Sequence, residues 1–193
     1  MPPPARNSRA DARRSRDAIL DAATRVLDAE PDAGLGAVAD AAGVTRQTVY
    51  AHFSSREQLL HAIAERLTEE TVAAMDAAGL DAGPAADALM RLLDAAARTA
   101  GRHPVLTRRI GAAPLGPEAE HERHEPVADR IRRVIERGRR GGEFDDRLPV
   151  GWLVAATIAL AHAASEERQA GRMPDAVAED ALRAGLLRLL GGS

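Results

Sequence analysis

The stretch GVTRQTVYAHFSSR, residues 43–56, gathers side chains able to hydrogen-bond to nucleobase edges and to phosphate oxygens. Arg46 carries a forked pair of donors that matches the O6 and N7 acceptors of guanine. Gln47 carries a donor and an acceptor that match N6 and N7 of adenine. Thr45, Thr48, Tyr50, His52 and Arg56 add hydroxyl, phenol, imidazole and guanidinium donors of the kind that hold a duplex by its phosphates. No acidic residue interrupts the stretch, so it is locally basic although the 193-residue chain has a formal net charge of -3. It also holds Tyr50 and Phe53, two of only four aromatic residues in the chain. The expectation is a small polar surface that reads double-stranded DNA, on a protein too acidic overall to wrap nucleic acid broadly.

Such a surface needs a short, firmly started helix, and the flanking residues supply one. Leu35, Val38, Ala39 and Ala42 give a short apolar helix face closed by Gly43, a residue that accepts the left-handed conformation of a helix stop. Thr45 then caps a second short helix, its hydroxyl accepting from a backbone N–H two or three residues on. On that helix Val49 and Phe53, at i and i+4, point back onto the preceding helix, which turns Tyr50 to the flank facing the DNA backbone. Phe53 is expected in the core, and Tyr50 to be core with a polar tip. Two short helices joined by a Gly-containing turn, the second led by a capping Thr, make a helix-turn-helix. Its second helix enters the major groove with its N-terminal residues at base edges.

The neighbouring helices read as clearly. Ile19, Ala22, Ala23, Val26 and Leu27 recur at helical spacing and predict a first helix over 9–28. Ser55 and Gln58, in capping-box spacing, open a helix at about 56. Its apolar line through Leu59, Leu60, Ile63, Leu67, Val72 and Met75 runs to a break at 79–84, so no flexible linker separates the helix-turn-helix from the remainder of the chain. Helical spacing continues to the last residues, for an all-α fold of about nine helices and no strand. The expected division is a flexible basic arm over 1–12, a three-helix DNA-binding domain over 13–60, and a helical effector-binding and dimerisation domain over 61–193.

In that body, helices packed through Ala leave room between larger side chains for a small apolar molecule. Met75, Leu89, Leu93, His103, Leu106, Ile110, Trp152, Ala156 and Ala159 are the candidate lining. One short helix reads too few base pairs, so a two-fold homodimer on a near-palindromic operator is expected. The last two helices, apolar on more than one side, offer Leu160, Leu182, Leu186 and Leu189 for the contact.

Several chemistries are excluded or disfavoured. No cysteine occurs, which removes disulfides, thiolate metal sites and cysteine nucleophiles. Ser165 stands beside Glu166 and Glu167 but has no Gly-rich elbow and no His at a diagnostic spacing, so no enzyme is expected. His121 and His124, with Glu118 and Glu125, have a spacing that a divalent metal can use. The segment comes after PLGP at a helix start, where acidic residues favour the helix dipole, and no metal or cofactor is assigned. The longest apolar run, residues 150–164, falls short of the ~20 residues that cross a bilayer. A cytoplasmic protein with no membrane partner is the expectation.

The runs ILDAATRVL and VADAAGVTRQTVYAHFSSREQLL resemble the tetracycline-repressor (TetR) family of bacterial transcription regulators, over about residues 13–65. The rest is similar only in helix number and spacing, including the RGRRGGEFDD run before the penultimate helix. The resemblance implies a homodimeric repressor released from a palindromic operator by a small hydrophobic effector; the alternatives are a ligand-independent DNA-binding regulator, or a helical enzyme or scaffold with an incidental helix-turn-helix. By position it makes Arg46, Gln47 and Thr48 base-contacting or nearby, and Thr45, Tyr50, His52 and Arg56 phosphate-contacting. The chain departs from the pattern at one point. Family members often open the second helix on Thr or Ser, whose hydroxyl caps the helix and touches phosphate, whereas DAGLGAV offers Gly34 and Gly36. Inside a helix Gly costs roughly 1 kcal/mol relative to Ala.

Overall fold

The structure, a computed structural model, describes residues 5–112 and 117–191. Among the described residues the chain forms nine α-helices and no strand, as the spacing predicts. They are α1 (Ala5–Ala29), α2 (Leu35–Ala42), α3 (Arg46–His52), α4 (Arg56–Asp76), α5 (Ala85–Ala100), α6 (Pro104–Ala112), α7 (Pro117–Arg140), α8 (Val150–Gln169) and α9 (Asp175–Leu189). Helix α1 starts at Ala5, so residues 5–12 are helical where the composition suggests a flexible arm; residues 1–4 lie outside the described part.

The chain divides into two compact units, Met1–Leu67 with Ala100–Pro114, and Thr68–Thr99 with Leu115–Ser193. The periodicity alone suggests a division at residue 60, with everything beyond it in one body. Instead α4 contributes to both units, and α6 returns to the first.

In the first unit the apolar stripes of four helices close on one another. Ile19, Leu20, Ala23 and Leu27 of α1 meet Val38 and Ala39 of α2, Val49 of α3, Phe53, and Leu59 and Ile63 of α4. Leu106 of α6 joins this core and is fully buried. Polar bonds fix α6 in the same place. The Leu106 N–H, one of the unpaired donors of the helix's first turn, donates to Asp28 Oδ1 at 2.9 Å. Arg109 Nη1 donates to the Pro31 carbonyl at 2.6 Å and to Asp32 Oδ1 at 3.0 Å.

The second unit has its own core, built from Met75, Leu89, Leu92, Leu93, Ile131, Val134, Ile135, Leu153, Val154, Leu186 and Leu190. Its α4–α5 turn is held by guanidinium groups. Arg91 donates to the carbonyls of Ala78, Gly79 and Ala82 at 3.1, 2.9 and 2.6 Å, and Arg137 to that of Gly83 at 2.8 Å. Glu143 Oε2 accepts from the Ala85 N–H at 2.6 Å, satisfying a free donor at the start of α5. Arg130 pairs with both oxygens of Asp76, at 3.1 and 2.8 Å, and this hydrogen bonding holds the Asp76 carboxyl below its usual range. Among the described residues no helix is long and apolar enough to cross a membrane.

Candidate nucleic-acid interface

The turn between α2 and α3 is fixed by local bonds. Gly43 takes φ 67°, ψ 29°, the left-handed conformation its lack of a Cβ permits. From there the Val44 N–H reaches the Ala39 carbonyl at 3.0 Å and the Gly43 N–H that of Asp40 at 3.2 Å. These two bonds are the Schellman pattern that satisfies the last carbonyls of a helix. Thr45 lies in the extended region and its hydroxyl accepts from the Thr48 N–H at 3.1 Å, so α3 has a capped start. The Thr45 and Thr48 hydroxyls are 2.8 Å apart, which couples the orientation of the two.

Helix α3 has an inward and an outward side. Val49 is buried, and Phe53, just past the helix end, is 3% exposed. The Arg16 guanidinium sits over the Phe53 ring at 5.3 Å from its centre, a cation–π contact that seals the core from outside. Tyr50 is 54% exposed, more than the half-core position expected for it, because α3 is only two turns long and, among the described residues, its far flank stays open. Thr45, Arg46 and Gln47 are also exposed, and Thr48 and His52 half-buried. Arg46 reaches back across α2. A Cβ built on Gly36 would lie 2.7 Å from its Nη2 and 2.9 Å from both Cζ and Nε.

Arg56 is engaged elsewhere. Its Nη2 donates to the Pro31 carbonyl, the oxygen that also accepts from Arg109, so it fastens the α1–α2 loop to the start of α4. That start is capped by Ser55, whose Oγ accepts from the Gln58 N–H at 3.1 Å. Gln58 Oε1 accepts from the Ser54 N–H at 3.0 Å, one residue earlier than in a capping box. Gly34, the N-cap of α2, makes no side-chain cap bond, in keeping with its departure from the family pattern.

The nine candidate effector residues are divided between the units. Met75, Leu89 and Leu93 are buried in the second unit's core. Trp152, Ala156 and Ala159 lie on α8, with Trp152 53% exposed and Ala159 also exposed. His103, Leu106 and Ile110 belong to the first unit, where Leu106 and Ile110 pack on its core and His103 Nδ1 is 3.9 Å from Asp28 Oδ2. A surface depression of the second unit, lined by Asp76, Gly79, Leu80, Asp81, Ala82 and Arg133, includes none of the nine.

Of the four leucines expected at a dimer contact, Leu186 is 1% exposed and Leu182 and Leu189 pack on the same internal core. Leu160 stays partly open to solvent. The His124 ring lies 5.6 Å from that of His162, while the His121 side chain is outside the described residues. Among the described residues no cluster of three or more His, Cys, Asp or Glu could hold a metal ion.

The capped α3, set against α2 through the Gly43 turn, defines a helix-turn-helix protein. Residues 19–63 match the family model described as bacterial regulatory proteins, tetR family. Over 81 residues, 42% of this chain and 43% of the relative, the sequence is 43% identical to the HTH-type transcriptional repressor LfrR of Mycolicibacterium smegmatis. Over 61 residues, 31% of this chain and 46% of the relative, it is 44% identical to the uncharacterized HTH-type transcriptional regulator TtgW of Pseudomonas putida. The matched stretch thus spans less than half the length of either relative. The fold is similar to the crystal structure of LfrR from Mycobacterium smegmatis in complex with proflavine. That likeness has a TM-score of 0.65 and 30% identity, covering 90% of this chain and 94% of that one. The chain belongs to the TetR family of bacterial regulatory proteins.

Proposed function

We propose that this protein is a sequence-specific, DNA-binding transcription regulator that acts as a homodimer and represses by occupying a near-palindromic operator. The observation that carries this reading is the outward side of α3. A threonine-capped helix start leads Arg46 and Gln47 out to solvent while Val49 and Phe53 anchor the same helix from behind. Phosphate contacts come from Thr45, Tyr50 and the half-buried Thr48 and His52. Arg56 acts indirectly, by holding the α1–α2 loop in place.

Selection of bound DNA from a random pool tests the reading. Arg46→Ala and Gln47→Ala are each expected to relax the preference at one base position per half-site, by ~1–3 kcal/mol. Tyr50→Phe is expected to weaken binding evenly across sequences, because a phosphate contact carries no base information. Uniform weakening by all three changes would overturn base reading by α3.

The effector, in this reading, is a small hydrophobic compound bound by the helices of the second unit, and its binding lowers operator affinity by a coupling of ~1–3 kcal/mol. LfrR was crystallised with proflavine, which makes proflavine the first compound to try. At a hundredfold excess over its dissociation constant it is expected to raise the melting temperature by roughly 5–10 °C and to release bound operator. A melting curve unmoved by proflavine and by a panel of apolar compounds would favour a regulator that needs no ligand.

A further inference from the structure

We propose that Gly36 is a positioning residue for DNA specificity: its bare backbone is the seat that holds the Arg46 guanidinium in one orientation at the leading end of α3. The inference rests on the reading of α3 as the base-contacting helix and assigns a role to a residue that touches no base itself.

Gly36 is the second residue of α2, and Arg46 is the first of α3. A Cβ on Gly36 would lie 2.7 Å from Nη2 and 2.9 Å from Cζ and from Nε. The near-equality of the three distances places that Cβ out of the guanidinium plane and over its Nε–Nη2 edge, so the glycine backbone lies against that edge. A point in the guanidinium plane, beyond the edge joining Nε and Nη2, would be clearly farther from Cζ than from the two nitrogens. Seating on that edge leaves the Nη1–Nη2 edge turned away from Gly36, and a bidentate contact with a base can use that edge.

Any larger residue at 36 would bring a Cβ within 2.9 Å of the guanidinium, closer than contact allows, so the guanidinium must move. The displaced atoms are the tip of a long, exposed side chain, so the fold accommodates the change and only the pose of Arg46 is lost. Helix α2 itself gains, because Ala is a better helix former than Gly. Stability and specificity therefore move in opposite directions, which a purely structural role for Gly36 does not produce. Pose matters because an arginine side chain has many rotamers, and a bidentate pair requires its plane to match that of the base pair. A seat that removes most alternatives favours the one partner whose acceptors meet the fork.

The test is selection of bound DNA from a random pool by wild type, Gly36→Ala, Arg46→Ala, Arg46→Lys and the double variant, with thermal melts of each. Arg46→Ala is expected to abolish the preference at one position. Gly36→Ala is expected to reduce it at the same position by about five- to a hundredfold, with a melting temperature equal to or above that of wild type. The double variant is expected to match Arg46→Ala within about twofold, and Arg46→Lys to behave like Arg46→Ala, since an ammonium has no plane to seat. Gly36→Ala keeping the wild-type preference at that position, or acting as strongly in the Arg46→Ala background, would overturn the proposal. If Arg46→Ala changes no position while wild type still selects a site, the proposal falls and the DNA-binding reading stands. If wild type selects nothing, both fall.

Discussion

Trp152→Glu is expected to yield a monomer that binds operator at least about a hundredfold more weakly than wild type. Trp152 projects from the first turn of α8 and is 53% exposed, an unusual setting for the one tryptophan of the chain. Ala155, Ala159 and Ala163, exposed on the same side of α8, continue a smooth apolar strip, and Val177 of α9 is exposed as well. Among the described residues the buried side of α8 is that of Leu153, Val154 and Thr157, and Trp152, Ala155, Ala159 and Ala163 stand on the opposite, exposed side. In the proposed homodimer, pairing two such faces about a two-fold axis is what covers this side. A carboxylate in place of the indole loses that contact area and must be desolvated against apolar surface, a penalty of several kcal/mol. Once the heads are no longer joined, the second half-site contact stops being intramolecular, and avidity of roughly 10²–10⁴ is lost. Light scattering at micromolar concentration and operator titration at fixed salt measure the two effects. A variant that stays dimeric would remove α8 from the interface, and a wild type that is monomeric would remove the dimer.

The same face shows what helical spacing leaves open. Leu160, Leu182, Leu186 and Leu189 stand out in a string of letters because they are large, yet Leu186 is the innermost of them in the chain's own core. Periodicity tells that a helix has an apolar side. It does not tell which of two apolar sides the chain itself covers. The alanines of α8 carry little signal and Trp152 reads equally as a pocket wall, so the open side is not legible. A related limit explains the scattered effector set. His103, Leu106 and Ile110 lie on or beside a nine-residue helix, two and a half turns, too short for its period to say which core it joins; the bonds to Asp28 and Pro31 that decide this are separated by about 78 positions in the chain. Arg56 is the third case, since an arginine at a helix start suits a phosphate as well as a carbonyl 25 residues earlier. The legible features are local. The Gly43 turn, the Thr45 cap and the Ser55 cap are made of bonds spanning a few residues, and each is found within one residue of its expected place.

Phe53→Ala is expected to cost the first unit about 3–5 kcal/mol, the usual penalty for removing a buried phenyl ring without refilling its space. Phe53 closes the core of Ile19, Leu20, Ala23, Val49, Leu59 and Ile63, and with Arg16 over its outer face it is the lid of that core. A small domain has only about 5–15 kcal/mol of stability, so the loss takes a large share of it. The melting transition of this unit is expected to fall by at least about 10 °C, and operator binding to disappear at the temperature where the unit opens. Tyr50, three residues earlier, gives the opposite outcome. Its ring is 54% exposed, and Tyr50→Ala is expected to leave the melting curve within about 0.5 kcal/mol of wild type while weakening DNA binding at every temperature. The pair separates the two demands on α3. One aromatic ring fixes where the helix lies and the other acts from its surface, so a variant series in which both changes destabilise equally would mean that α3 has no free flank to offer to DNA.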